Sequence, residues 1–313
     1  MMKIQIIAFL LGLLISTLVF GQTELPLTLK TKTGNIEGTL IYPSAPLPLP
    51  VALIIAGSGP TDRNGNNPVM TNNSLKMLAS ELANNGIASL RYDKRGIAAS
   101  KNAGVNESEL RFEMYVDDAV EWIKLLKKDI SFNKIIIIGH SEGSLIGMIA
   151  AQDPDVDQFI SLEGAGQPAD QIIREQLKSQ PPVIIKQSIP ILDELVKGNT
   201  VENVPPMLNA LFRTSVQPYM ISWFKYDPQK EIAKLTKPVL IVQGTTDIQV
   251  SADDATRLHE ANPGSKLALI EGMNHILKNA EADKMKNILT YRQPDLPLNA
   301  ELTSLISSFI LSK

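Results

Sequence analysis

The chain has 313 residues, 30 Lys and Arg against 33 Asp and Glu, and no cysteine. Near-balanced charge without a basic stripe gives no footing for nucleic acid. Without cysteine there is no disulfide framework, no thiolate zinc site and no lipidated N-terminal cysteine.

Met1-Met2-Lys3, an apolar run from Ile4 to Phe20 and small residues ending at Gly21 predict a secretory signal peptide over residues 1–21. A retained anchor is the rival reading, because the run is near the lower limit for spanning a bilayer. Cleavage predicts a secreted or periplasmic protein with no stable membrane association. The remaining residues, 22–313, suit a single α/β domain.

Residues 25–42 read as two strands around the turn Thr33-Gly34-Asn35, and 43–50 as a proline-rich connector. From Val51 short apolar runs alternate with amphipathic segments. Val51–Ala56 is a predicted strand. Ser74–Asn85 is a predicted helix, with apolar Leu75, Leu78 and Leu82 and a stop at Gly86. A strand follows over Ile87–Tyr92, then a helix over Phe112–Lys128 with a broad apolar face. Ile135–Ile138 is uninterrupted and apolar, as a strand buried on both faces should be. Phe159–Leu162 is the next strand. Between Gly164 and Leu235 the alternation stops. Helical patterning, prolines and the side chains Met207, Phe212, Tyr219, Trp223 and Phe224 predict an inserted helical cap over about 164–235. Strands at Val239–Val242 and Lys266–Ile270, with a helix at Ala252–Ala261 between them, resume the pattern, and Ala300–Leu311 is a final helix. Alternating strands and helices predict a mostly parallel central sheet with helices on both faces.

The chemistry starts at Gly139-His140-Ser141-Glu142-Gly143, which joins the strand Ile135–Ile138 to a helix-like run. Gly-x-Ser-x-Gly in that setting is a nucleophile elbow, which holds the Ser141 hydroxyl up at the carboxyl end of a strand. A serine nucleophile needs a base, and the chain has three histidines. His140 sits inside the elbow and should point away from Ser141. His259 falls on a helix outside the sheet. His275 lies in a loop after a strand and is the predicted base. The base needs an acid to orient it. Asp247, just past Val239–Val242, is preferred, although a turn or N-cap role also fits it. Glu163, after Phe159–Leu162, is the competing acid. A tetrahedral intermediate needs two donors. The backbone N–H of Glu142 and that of Ser58, in Ala56-Gly57-Ser58-Gly59-Pro60, are the predicted oxyanion hole.

These residues resemble the α/β-hydrolase superfamily, and within it the serine aminopeptidase-like esterases, over about residues 28–313. The order Ser141, Asp247, His275 is that superfamily's order of nucleophile, acid and base. Val239–Asp247 is similar to its acid segment and Gly272–His275 to its base segment. Arg91–Ser100 resembles its D-x-R-G-x-G-x-S loop, with Ala98 where a second glycine is usual. There Asp93 and Arg95 are expected to pin loops near the oxyanion site. Ala56 stands where the family commonly has a histidine, which removes a polar group and leaves the backbone donor. The resemblance implies a carboxylesterase acting on small or medium esters through a Ser-His-Asp triad, with no cofactor or metal and a small-molecule ester as its partner. An aminopeptidase of the same fold is the alternative. It would need an acidic anchor for a substrate amine, for which Glu163, Asp170 and Glu175 are candidates. A binding protein on a hydrolase scaffold is a third reading, which a missing triad member would signal.

Overall fold

A computed structural model describes residues 22–312; the predicted signal peptide, 1–21, lies outside the described residues. The chain opens with a hairpin of β1 (Thr23–Thr31) and β2 (Gly34–Tyr42), then enters β3 (Leu49–Ile55), α1 (Ser74–Asn84), β4 (Ala88–Tyr92), α2 (Phe112–Lys127), β5 (Phe132–His140), α3 (Glu142–Ala150) and β6 (Gln158–Leu162). Five helices follow: α4 (Ala169–Leu177), α5 (Pro182–Val196), α6 (Asn209–Phe212), α7 (Gln217–Trp223) and α8 (Pro228–Ile232). The sheet resumes with β7 (Val239–Gly244), α9 (Ala252–Ala261) and β8 (Lys266–Ile270), and α10 (Lys284–Leu289) and α11 (Ala300–Leu311) complete the chain.

The eight strands lie in the order β1-β2-β4-β3-β5-β6-β7-β8, with β1, β2 and β4 joined antiparallel and every other neighbour parallel. This is the expected α/β-hydrolase fold. β5 shows why a fully apolar strand belongs at its centre. Successive side chains of a strand point to opposite faces, so Ile135 and Ile137 enter one core while Ile136 and Ile138 enter the other. The first core is closed by α2, α3 and α9, the second by α1 and α11. Burying each such isoleucine stabilises the fold by about 1.5–3 kcal/mol. β5 begins earlier than its apolar run because Phe132 and Lys134 pair with Leu49 and Pro50 of β3. Pairing of that kind depends on the partner strand, so periodicity did not signal it. The six-residue α10 was also unpredicted. It is capped by Asp283, which accepts from the Lys286 N–H, and most of its apolar side chains are exposed, so no buried stripe announces it.

The chain runs from β3 to β4 on one side and from β5 to β6 on the other, so the strand order reverses between β3 and β5. Ligands of open α/β sheets bind beyond the carboxyl ends of the strands at such a switch point. The segments after β3, β5, β6, β7 and β8 carry Ser58, Ser141, Glu163, Asp247 and His275. The helices between β6 and β7 form a separate small core of Ile173, Leu192, Leu195, Phe212, Met220 and their neighbours. Among the described residues, no helix is long and apolar enough to cross a membrane.

Candidate active site

Ser141 sits between β5 and α3 at φ 56°, ψ −122°, a conformation that side-chain-bearing residues rarely adopt. Neighbouring backbone holds it there. The Ser141 N–H donates to the Leu162 carbonyl at 2.9 Å, and a Cβ on Gly139 would meet the Gly143 carbonyl oxygen at 2.3 Å. A Cβ on Gly143 would strike the Ile55 carbonyl oxygen at 2.3 Å. Both glycines are therefore needed for strand and helix to approach closely enough to make the bend.

On one side of the elbow lie the predicted base and both candidate acids. His275 and Asp247 are buried, with Nδ1 of the histidine 2.7 Å from Oδ2 of the aspartate. The other aspartate oxygen accepts from the backbone N–H groups of Gln249 at 2.6 Å and Val250 at 3.1 Å. Asp247 is thus both a turn aspartate and a partner of the imidazole, because a carboxylate has two oxygens to give. Glu163 joins the same cluster: it, Asp247 and His275 each offer a ligand atom within 4.8 Å of the others. Glu163 is fully buried at φ 49°, accepts from the Gly244 N–H at 2.9 Å, and is bonded by the Gln243 amide, which also reaches Asp247 at 3.1 Å. Burial, followed by the charge of Asp247, pushes Glu163 well above the usual carboxylate range. Burial also acts to raise Asp247, but the charge and hydrogen bond of His275 and the donors around it bring it down to about 2. The two shifts run in opposite directions, so Glu163 holds a proton more tightly than Asp247, which is favoured as the anion beside the imidazole.

His140 has a place that spacing did not reveal. Its Nε2 meets the His275 backbone carbonyl at 2.7 Å, and the two rings lie 4.9 Å apart. A carbonyl only accepts, so Nε2 carries the proton. Burial lowers His140 to about 4 and keeps it neutral. It therefore ties the loop bearing the base to the elbow bearing the serine. No hydrogen bond joins the Ser141 hydroxyl to His275 among the described residues. His259, as expected, is remote, bonded to Ser265 beyond α9.

On the other side of the elbow, a Cβ on Gly57 would touch the Ser141 Cβ at 3.1 Å, so the loop after β3 passes directly over the serine. Neither the Ser58 N–H nor the Glu142 N–H finds an acceptor among the described residues. Lys94 joins the two residues, with Nζ donating to the Gly57 carbonyl at 2.6 Å and to the Glu142 carboxylate at 2.7 Å. Tyr219 of α7 donates to the second Glu142 oxygen at 2.6 Å, and burial, then the Glu142 charge, hold its hydroxyl protonated. The Lys94–Glu142–Tyr219 set was missed from the sequence. Asp93-Lys94-Arg95 is visible, but nothing in the chain order pairs Lys94 with Glu142, 48 positions on, or Glu142 with Tyr219, 77 positions further. Asp93 accepts from the Arg63 backbone and side chain, both at 2.8 Å, and from the Ala99 N–H at 3.1 Å, so it pins the loop after β3 to its own. Arg95 pairs with Asp118 of α2. Ala98, which replaces the family's second glycine, sits at φ 43°, which explains the preference for glycine there.

Ser141, Ser58 and Glu142 all open onto a cavity of about 490 Å³. Its wall is mostly apolar, with Leu145 from α3, Ile172 and Ile173 from α4, and Met220 and Trp223 from α7. Of the cap residues singled out from the sequence, Tyr219 and Trp223 line it, Phe212 is buried in the helical segment's own core, and Met207 is exposed. The acids on its wall are already paired, Glu142 with Lys94 and Glu107 with Arg213. Asp170 and Glu175, the candidate amine anchors, are paired within α4 and its exit, and Glu163 is buried beside Asp247.

An eight-stranded, mostly parallel sheet with a serine at the strained turn after its fifth strand is that of an α/β hydrolase. Residues 71–228 match the family described as "Serine aminopeptidase, S33", and the chain belongs to that family. It is 25% identical over 262 residues to Esterase EstD of Thermotoga maritima, a match covering 79% of this chain. The chain spans 59% of that esterase's length. The structure is similar to Est1E from Butyrivibrio proteoclasticus, with a TM-score of 0.60, 18% identity, and 92% of this chain and 99% of that one covered. It is also similar to a dienelactone hydrolase from Anabaena variabilis, with a TM-score of 0.53, 14% identity, and 93% and 97% covered. These structural likenesses concern the fold.

Proposed function

We propose that the protein is a carboxylesterase that cleaves small or medium acyl esters through Ser141, His275 and Asp247. The observation that carries this reading is the 2.7 Å His275–Asp247 pair at the same sheet edge as a strained serine that faces an apolar cavity. Ser141 Oγ attacks the ester carbonyl carbon while His275 Nε2 takes its proton. The developing oxyanion receives the Ser58 and Glu142 N–H groups. The carbonyl re-forms, the ester C–O bond breaks, and the alcohol leaves with the proton from His275. Water then gives its proton to His275 and attacks the acyl-enzyme. The acid departs and Ser141 regains its proton. Hydrogen bonds between nucleophile and base commonly tighten only when substrate is bound, so the open hydroxyl–imidazole contact is compatible with this role.

Ester rather than aminoacyl substrates are supported by the cavity wall, where each acid already has a cation. A substrate ammonium would find no free carboxylate there. The helices between β6 and β7 act as a cap whose apolar side chains receive the acyl group. Residues 1–21 direct export and are removed, so mass spectrometry of the mature protein should find Gln22 as its first residue. Hydrolysis of p-nitrophenyl esters from acetate to laurate by residues 22–313 tests the main proposal. An optimum at short or medium acyl chains, abolished in Ser141→Ala, is the expected result. A folded protein inactive on every ester but active on aminoacyl amides would replace the esterase reading with the peptidase one.

A further inference from the structure

Lys94 is a cation with almost no contact with water, its side chain 1% exposed and that of its partner Glu142 2% exposed. Such a pair is costly to desolvate and is weak evidence for a stabilising role, so its position asks for another explanation. Its Nζ touches two groups, the Gly57 carbonyl and the Glu142 carboxylate, and it lies 4.9 Å from the centre of the Tyr115 ring. The Gly57 carbonyl belongs to the same peptide unit as the Ser58 N–H. That unit is planar and trans, so a group holding the carbonyl on one side fixes the direction of the N–H on the other. A cation on the carbonyl also polarises the amide and strengthens the N–H as a donor. The Glu142 carboxylate belongs to the residue whose own backbone N–H is the second donor. Lys94 thus holds one residue of each donor at once.

We propose that Lys94, with Glu142 and Tyr219, is a positioning device for the oxyanion hole, bracing the two peptide N–H groups that receive the transition-state charge. The proposal rests on the esterase reading of Ser141, Ser58 and Glu142, and it assigns the conspicuous acid of the Gly-His-Ser-Glu-Gly elbow a task distinct from proton transfer. Tyr219 adds a consequence. It reaches Glu142 from α7, so the brace is complete only while the helical segment is docked on the sheet. An acyl group that seats against Tyr219 and Trp223 therefore meets the wall that also steadies the hole.

The test compares Lys94→Met/Glu142→Gln, which removes both buried charges together, with the wild type and with Tyr219→Phe. Activity is expressed per Ser141 site titrated with a fluorophosphonate, so that a loss of folded protein does not count. The double variant is expected to lose about tenfold to a hundredfold in kcat, less than the 10²–10³ that deleting a donor outright costs. KM for a neutral ester should stay within about twofold, because the ground-state carbonyl places little charge on the hole. Affinity for a trifluoromethyl ketone, whose adduct carries the oxyanion, should fall in parallel with kcat/KM. Tyr219→Phe should lose a few-fold in kcat, and it decides the matter if the double variant does not fold. Unchanged kcat per titrated site in folded variants overturns the brace, as does a loss confined to KM for anionic esters, which would make Lys94 a substrate contact. Wild-type protein with no fluorophosphonate reaction at Ser141 overturns the esterase reading itself. If Ser141 is labelled but no tested ester is cleaved, the labelling rate replaces kcat, because phosphonylation develops the same oxyanion.

Discussion

Two buried polar clusters flank Ser141, and they handle charge in opposite ways. Beside the loop after β3, Glu142 is paired with Lys94 and bonded by Tyr219, so each of its oxygens has a donor. Behind the imidazole, Glu163 and Asp247 face each other with no lysine or arginine bonded to either among the described residues. The first cluster is an ion pair, and its use is rigidity: a fixed charge holds two backbone segments. The second is a carboxyl pair whose members are shifted in opposite directions, Glu163 toward holding its proton and Asp247 toward the anion beside the histidine. One sheet edge thus carries a buried lysine on one side of Ser141 and a carboxyl pair on the other. A buried glutamate with a lysine bonded to it and one without meet the same low dielectric with different partners.

That contrast can be broken most sharply at the serine itself. Ser141→Ala should lower kcat on the order of a millionfold, as loss of the nucleophile does in a comparable triad enzyme; ester turnover per mole of folded protein measures it. Next come the two acids. Asp247→Asn should cost about 10⁴ in kcat, because an amide holds His275 in the wrong tautomer. Glu163→Gln should stay within about tenfold, since an amide reproduces the shape and neutrality of a protonated carboxyl. Reversal of those two results would make Glu163 the working acid. Lys94→Met alone should destabilise the fold by about 3–5 kcal/mol in denaturant titration, because it strands the Glu142 carboxylate in the interior. Adding Glu142→Gln should return most of that loss; no recovery would mean that Lys94 matters through packing alone.

The smallest effect should appear in pH-dependent stability. Asp247 titrates near 2 in the fold against an ordinary 3.8, so its contribution is complete above about pH 4 and is lost as pH falls toward 2. Glu163 has the opposite sign. Its carboxyl, raised above the ordinary 4.5, binds the proton more tightly when folded, so its contribution is complete below that value and is lost as pH rises through the folded pKa. Glu163→Gln should therefore raise Tm by a few degrees at pH 8, an effect of about 1 kcal/mol or more, and the advantage should shrink toward pH 4. Melting curves from pH 3 to 9 measure it. A difference that does not change with pH would mean that Glu163 is ionised in the fold.

The sequence by itself determined the frame. Apolar runs at Val51–Ala56, Ile135–Ile138 and Val239–Val242 place buried strands, because a strand covered on both faces has no room for polar residues. Glycines at 139 and 143 mark the elbow because no side chain fits the bend. Having only three histidines narrowed the base to His275 by elimination. Asp247 is the preferred acid and Glu163 the competing one, since each follows a strand.

Only the tertiary structure decided what each polar group meets. Adjacent strands at one sheet edge put Glu163 beside Asp247, and the His275 imidazole bonded to Asp247 then sets their shifts in opposite directions. His140 met the His275 carbonyl, and Lys94 met both Gly57 and Glu142, across separations of 135, 37 and 48 residues. The physical reason for the division is range. Backbone sterics and hydrophobic periodicity act within a few residues and are written locally. Protonation state and hydrogen-bond partnership depend on dielectric and distance, which exist only once remote segments have been brought together.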